Sequence, residues 1–215
     1  CVIIDDMIGD TNKVDVVANK SMGAMVLTYL SDKLIGKGYH VDNTVLTSVG
    51  LAMDQERVYK IVRSVGSKDT DVEDLPIGIP PFFLNDLFRD ETSGVQLRAA
   101  YDSLLRISPD EGSEKPVIPF TGMIGKHSEA GTLMIMFLGG FSVAVSKQYN
   151  NQPSSDHLTV GAIQMQPISQ LTMTFYVVDA GTGELLWTDR HIVRGGTIHK
   201  EKILQLADRI IEDLP

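Results

Sequence analysis

The sequence predicts a single α/β (α+β) domain spanning residues 1–215, in which helices flank a mixed β-sheet. Three observations predict this fold. Apolar residues recur at helical spacing near both ends of the chain. A continuous apolar run and an alternating run in the second half are typical of strands. A turn-rich segment then joins the last two strands into a hairpin, and an amphipathic helix follows it.

The helices are predicted from stripes of apolar side chains. The first spans residues 21–37, and its stripe comprises Met22, Met25, Val26, Tyr29, Leu30 and Leu34. Gly36 and Gly38 are predicted to end it. Two shorter helices are predicted, one through about 54–65 and one through about 94–107. A closing helix is predicted from about 197 to 214, with one side formed by Ile203, Leu206, Ala207, Ile210 and Leu214.

The strands are predicted from β-branched, continuous or alternating runs. Residues 39–49 are rich in β-branched side chains and predict a strand. Residues 132–138 form a continuous apolar run, which indicates a strand covered on both faces, and residues 141–146 extend it. A weaker strand is predicted over 158–165. Residues 171–178 alternate apolar and polar side chains.

The last two strands are joined by a segment that favours a tight turn. Asp179 to Gly183 supplies the turn residues, and residues 184–193 return as the partner strand. The pattern D-x-x-T-G-x-x-x-W in this segment resembles the blade signature of quinoprotein propellers. A propeller needs several copies of that signature and this chain has one. A quinone cofactor is therefore rejected, and no other cofactor is predicted.

Residues 66–94 interrupt the pattern and predict an insertion or loop within the domain. Pro76, Pro80 and Pro81 lie here, and proline removes a backbone donor and restricts its neighbours. Five large apolar residues accompany them and are predicted to bind a partner protein: Ile79, Phe82, Phe83, Leu87 and Phe88. The alternative is that these side chains fold back as a lid on the domain's own core.

The charge of the chain excludes several classes of partner. With 19 Lys and Arg against 28 Asp and Glu, the net charge is −9. Nucleic-acid binding needs clustered basic residues, so it is disfavoured, and so is adsorption to anionic lipid. The most apolar run, residues 133–145, is too short to span a membrane and is interrupted by Gly139 and Gly140.

Cys1 is the only cysteine, so an internal disulfide is excluded. A secretory chain with a lipobox is cleaved immediately before a cysteine, whose thiol is then acylated. We therefore expect Cys1 to carry acyl chains such as palmitate, which would anchor the chain in the outer membrane, facing the periplasm. An arbitrary boundary of the sequence is the alternative.

Recognised catalytic and metal-binding motifs are missing, so no catalytic residue and no metal site is predicted. Asp189 and His191 share a strand face at i, i+2 and are compatible with an acid-oriented imidazole, but an exposed polar face of a hairpin is the favoured interpretation. For a hydrolase, the candidates are this pair or Ser142. Two other groups are interpreted as solvated: Asp156 with His157, and Asp5 and Asp6 with Asp10.

The order of the pieces resembles a broad group of bacterial envelope lipoproteins. It comprises a helix ending in residues 30–41, an apolar strand at 133–138, the hairpin VVDAGTGELLW and a closing helix ending ADRIIEDLP. The group includes the curli-secretion-channel lipoprotein, outer-membrane activators of peptidoglycan synthases, flagellar outer-membrane lipoproteins and the amino-terminal domain of the Tol-system propeller protein. The resemblance covers about 21–49 and 130–215, and residues 50–130 depart from it. It implies the same α/β architecture and no catalytic residues.

The expected function is that of a non-enzymatic structural or assembly component of an envelope complex. The candidate complexes are a secretion system, a flagellar collar and the cell-wall machinery. Its partners would be other envelope proteins and outer-membrane lipid, and a homo-oligomer is compatible with the resemblance. The alternative is a periplasmic ligand-binding or transporter-auxiliary lipoprotein, which would require a concave apolar pocket.

Overall fold

The computed structural model describes residues 2–7, 11–14, 16–51, 81–107, 117–118, 130–147, 164–195 and 198–215. For residues 2–7, 11–14, 141–147 and 164–168 it describes the backbone alone. The predicted helix through 54–65 and most of the predicted insertion at 66–94 lie outside the described residues.

The centre of the fold is a five-stranded sheet in the order β2-β1-β5-β6-β7. Its strands are β1 (Val2–Met7), β2 (Thr11–Val14), β5 (Thr132–Lys147), β6 (Gln164–Asp179) and β7 (Leu185–Arg194). The β1–β5 pair is parallel, and the β1–β2, β5–β6 and β6–β7 pairs are antiparallel. The sheet is therefore mixed, as predicted. A separate two-stranded sheet pairs β3 (Ser48–Val49) with β4 (Phe83–Leu84).

Three α-helices lie in the described part of the chain: α1 (Val16–Gly36), α2 (Glu91–Leu105) and α3 (Lys200–Asp213). The predicted mixed α/β class, with a terminal hairpin followed by an amphipathic helix, is confirmed. Each boundary differs from the sequence prediction by a few residues, because helix ends depend on local caps as well as on periodicity. Among the described helices, none is long and apolar enough to cross a bilayer.

The end of α1 shows how a local signal sets a boundary. The N–H of Tyr39 donates to the carbonyl of Leu34, and the N–H of Gly38 donates to that of Ile35. This pair of bonds is a Schellman motif, which requires a left-handed residue, and Gly38 has a φ of 94°. The predicted stop at Gly38 therefore has a specific physical cause.

The two faces of the sheet carry separate apolar cores. On the first face, α1 and α3 cover odd-numbered residues of β6; this first core includes Val26, Leu138, Leu171, Met173, Phe175, Ile203, Leu206 and Ile210. On the second face, α2 covers even-numbered ones; this second core includes Phe88, Leu97, Tyr101, Leu104, Tyr176, Val178 and Leu185. Helices thus flank the sheet on both sides, which explains why Tyr176 and Thr174 are buried although the alternating pattern predicts them to be exposed.

The strand predicted over residues 39–49 is wrong for most of its length, since only Ser48 and Val49 are in a strand. Most side chains of residues 39–47 are exposed or half-buried. β-Branched residues are enriched in strands because they pack well on a pleated, half-buried surface. Where no such surface is present, they do little to stabilise a strand. The predicted extension of the strand at 132–138 by residues 141–146 is confirmed, since β5 continues to Lys147, and β5 and β6 pair over sixteen residues.

The turn between β6 and β7 is organised by one carboxylate. The Oδ1 atom of Asp179 accepts hydrogen bonds from the N–H groups of Gly181 and Thr182 at 2.9 and 2.6 Å, and from the Thr182 hydroxyl at 2.9 Å. Gly183 follows with a φ of 78°. Because these bonds favour the charged form, they hold the pKa of Asp179 below its usual value.

We expect the hairpin to become less stable in acid because of this carboxylate. A carboxylate whose pKa is lower in the folded state than in the unfolded state stabilises the fold fully at pH values above its usual pKa of 3.8. This stabilisation is lost as the pH falls through the lower pKa of the folded state. Urea unfolding measures the free energy of unfolding of wild type and of Asp179→Asn from neutral to strongly acidic pH. The difference between the two proteins should shrink as the pH falls below the usual aspartate pKa. Asp102→Asn, on the exposed face of α2, is the control. An unchanged difference throughout the range would contradict the prediction.

Candidate functional site

Asp189 and His191 lie on β7 and face the helical layer formed by α1 and α3. In the register of the sheet, Asp189 lies opposite Phe175 and His191 opposite Met173, and both of these partners belong to the first core. Cross-strand partners point to the same face of a sheet. The interpretation of Asp189 and His191 as an exposed polar face is therefore wrong, since their side chains are only 25% and 23% exposed.

The third member of the cluster comes from the end of α3. Asp213 is the last residue of that helix. Its Oδ2 atom lies 3.3 Å from Nε2 of His191, and Oδ2 of Asp189 lies 2.9 Å from the same nitrogen. One ligand atom from each of the three residues falls within 4.8 Å of the others. The tertiary fold therefore gathers an imidazole and two carboxylates at the edge of the sheet.

The contacts within the cluster are close but poorly aligned for hydrogen bonding. Asp189 Oδ2 and His191 Nε2 are both buried from solvent, and neither has a hydrogen-bond partner in the described part of the chain, although they are 2.9 Å apart. The other oxygen of Asp189 accepts a bond of 2.7 Å from the N–H of Arg190. That bond fixes the orientation of the carboxylate and directs Oδ2 towards the imidazole.

This arrangement is compatible with two kinds of chemistry. A protonated imidazole can form an ion pair with both carboxylates, or a neutral imidazole and both carboxylates can ligate a cation. It does not extend to a hydrolytic triad with Ser142. In the register, Ser142 lies four residues along β5 from the row of His191, about 13 Å, and two strands away, about 10 Å.

A second region of interest is the segment predicted to bind a partner. Phe82 packs its ring against Gly50, whose φ of 81° is rarely adopted by other residues. A Cβ added at Gly50 would lie 2.5 Å from that ring. Phe83 lies in β4, and the Nζ atom of Lys20 lies 4.1 Å from its ring centroid, which is a cation–π distance. Both rings are half-buried, so part of each remains available to solvent.

In the following 3₁₀ turn, Asp86–Phe88, the two apolar residues differ in their exposure to solvent. Phe88 belongs to the second core and is 6% exposed, as the lid alternative predicts for this residue. Leu87 is 49% exposed, and Val95 in the first turns of α2 is 64% exposed. The side chains of Asn85 and Asp90 cap this turn and α2, accepting bonds from the N–H groups of Leu87 and Ser93.

The remaining residues from the sequence prediction are placed only in part. Cys1, Ile79, Asp10, Asp156 and His157 lie outside the described residues. Asp5 and Asp6 are adjacent in β1 and pair with Lys13 and Asn12 of β2, as backbone neighbours.

Sequence reasoning missed two residues, Asp213 and Val95. Asp213 is 22 positions from His191 in the chain, and no spacing rule joins a strand residue to the end of the next helix. Val95 lies one position after Gly94, the predicted start of α2, and is not among the residues predicted to bind a partner. Its exposure follows from which face of α2 meets the sheet.

Comparisons with known proteins identify no relative. No protein-family model matches the chain, and neither a curated protein nor a solved structure is significantly similar to it.

Proposed function

We propose that this chain is a non-enzymatic, lipid-anchored outer-membrane lipoprotein that faces the periplasm and serves as an assembly component of a multiprotein envelope complex. A secretion system, a flagellar collar and the cell-wall machinery are the candidate complexes. The observation that supports the proposal is a set of exposed or half-buried apolar side chains, carried by residues 82–87 and by the start of α2, which we call the partner surface. It consists of Phe82, Phe83, Leu87 and Val95.

Two properties of the partner surface support the proposal that it binds a protein. First, its two aliphatic side chains, Leu87 and Val95, are exposed. Second, the 3₁₀ turn and α2, which carry them, lie close together: the carbonyl oxygen of Phe88 would be 3.3 Å from a Cβ added at Gly94. Clustered exposed apolar side chains are typical of interaction sites. Buried Phe88 and the two caps hold the backbone in place, so little conformational entropy would be lost on binding.

Lipid anchoring remains the part of the proposal that depends on acylation of Cys1. A lipid confines a domain to the plane of the membrane and so raises its effective concentration near partners on that membrane. Intact-mass spectrometry of protein purified from its native membrane tests it. A mass increased by two or three acyl chains supports anchoring, and an unmodified mass contradicts it.

We expect the double variant Leu87→Asp with Val95→Asp to lose its partners while remaining folded. Both side chains are exposed, and surface substitutions change stability by about 0.5 kcal/mol or less. The measurement is cross-linking and co-purification from native membranes, together with the Tm of the purified variant.

The control is Val17→Asp, which places one of these two added charges on an exposed valine in the first turn of α1. It should keep both the Tm and the partners. Retention of every partner by the double variant would contradict the proposal, and so would an equal loss in the control. Phe88→Asp, in contrast, is expected to unfold the domain, because it buries a charge in the second core.

A further inference from the structure

We propose that Asp189, His191 and Asp213 form a binding site for a divalent transition metal of the zinc class, which joins the C-terminal helix to the edge strand of the sheet. The site shares no residue with the partner surface. The proposal depends on the geometry of the three ligand atoms, on their lack of aligned hydrogen bonds and on the charge of the end of α3.

The two separations measured from the imidazole nitrogen are close to those between ligand atoms around a small metal ion. Zinc binds nitrogen and carboxylate oxygen at about 2.0–2.1 Å, so two ligand atoms in a tetrahedral site lie about 3.3 Å apart. Nε2 of His191 lies 2.9 Å from Oδ2 of Asp189 and 3.3 Å from Oδ2 of Asp213. All three atoms lie within 4.8 Å of one another.

The direction of the contacts also favours a metal over an ion pair. An imidazole N–H that bonds a carboxylate points along the N–H axis towards the oxygen. Here Nε2 and Oδ2 of Asp189 are buried and close, yet they lack that alignment. Ligands of one metal show this relation, because the metal lies on the axis of the imidazole lone pair and the oxygens lie to the side. The N–H of Arg190 then orients Asp189 from its other oxygen, as an outer-shell partner does.

The charge at this end of α3 attracts a cation. The C-terminus of a helix carries partial negative charge, and Asp213, its last residue, adds a full one. Lys37 compensates part of this charge, since its Nζ atom donates to the carbonyl oxygen of Ile211. The carboxylates of Asp213 and Asp189 both face His191, so a divalent cation among them would neutralise two negative charges.

The donor set selects the class of metal. Imidazole nitrogen favours zinc, copper, iron and nickel, whereas magnesium and calcium prefer a shell of oxygens alone. Two carboxylates and one imidazole leave a coordination position for water, on the side where the Asp213 side chain is 61% exposed. The ligands come from β7 and α3, so the metal would cross-link these two elements and stabilise the folded state in proportion to its occupancy.

The test is zinc titration of the full chain after removal of metals with a chelator, followed by calorimetry and by the Tm at increasing zinc concentration. Wild type should bind one equivalent, and its Tm should rise with zinc. Asp213→Asn and His191→Gln should each lose affinity: removal of an outer-shell partner costs about 10- to 100-fold, so loss of a ligand should cost no less. Magnesium in place of zinc should bind much more weakly.

His199→Ala is the matched control, because His199 is an exposed histidine immediately before the same helix. It should bind zinc as wild type does, and circular dichroism of the metal-free variants should show that all are folded. Three outcomes would each overturn the proposal: no saturable zinc binding by wild type, unchanged affinity in both Asp213→Asn and His191→Gln, and equal affinity for magnesium.

Discussion

Replacement of Ile210 with alanine should lower the free energy of unfolding by about 2–5 kcal/mol, the range for removing a buried aliphatic side chain from a core. Ile210 lies in α3 and is fully buried in the first core, where α1, α3 and the sheet meet. Loss of its methyl groups removes favourable contacts and leaves a cavity that these three elements would have to move to fill. Urea unfolding followed by circular dichroism measures the change.

Ile35→Ala is the matched control, because Ile35 also lies in a helix but is 54% exposed. It should change the free energy of unfolding by about 0.5 kcal/mol or less. Equal effects of the two substitutions would contradict the placement of α3 over the sheet. The same experiment bears on the metal proposal, since Asp213 lies at the end of the helix that Ile210 holds in place.

Replacement of Gly140 with alanine should lower the free energy of unfolding by about 1–3 kcal/mol, the usual cost of overpacking. A Cβ at Gly140 would lie 2.6 Å from the carbonyl oxygen of Gln170 and 3.1 Å from Cδ1 of Leu171. The closer atom belongs to the backbone of β6, so relief requires the β5–β6 pair to shift. The strands pair over sixteen residues, which resists such a shift.

The adjacent Gly139 provides a strict control for this prediction. A Cβ at Gly139 meets no atom within 4 Å among the described residues. Gly139→Ala should therefore leave stability unchanged or raise it by up to about 1 kcal/mol, because alanine has less backbone freedom to lose on folding. A larger loss at position 139 than at position 140 would contradict the register of β5 on β6.

The helices and the hairpin could be predicted because their signals are local. Val26, Leu30 and Leu34 lie at helical spacing, and Gly38 ends α1 through a left-handed conformation. Asp179 and Gly183 form the turn between β6 and β7 by bonds within a few residues. The strand predicted over 39–49 failed because its β-branched residues lie outside a pleated, buried surface for most of their length.

The candidate site could be predicted only in part. Asp189 and His191 are two residues apart on a strand, so their common face was evident from the sequence. The sequence does not show which face of the sheet α1 and α3 cover. Because they cover the face that carries Asp189 and His191, this pair is half-buried. The segment with Phe82, Phe83, Leu87 and Phe88 was recognisable as unusual, but its division between core and surface depends on how α2 packs.

The amino-acid order alone therefore determined several elements of this protein: helices with apolar stripes near both ends of the chain, apolar strands, and a hairpin that an aspartate and a glycine close. The hydrogen bonds and the side-chain periodicity that produce these elements act over a few residues. Each element can therefore be recognised from the short segment that forms it. Only the packed chain decided that Asp213 meets His191, that Phe88 is buried while Leu87 is exposed, and that both faces of the sheet are covered. Those contacts join residues distant in the chain, and they form because apolar surfaces on separate elements are excluded from water together.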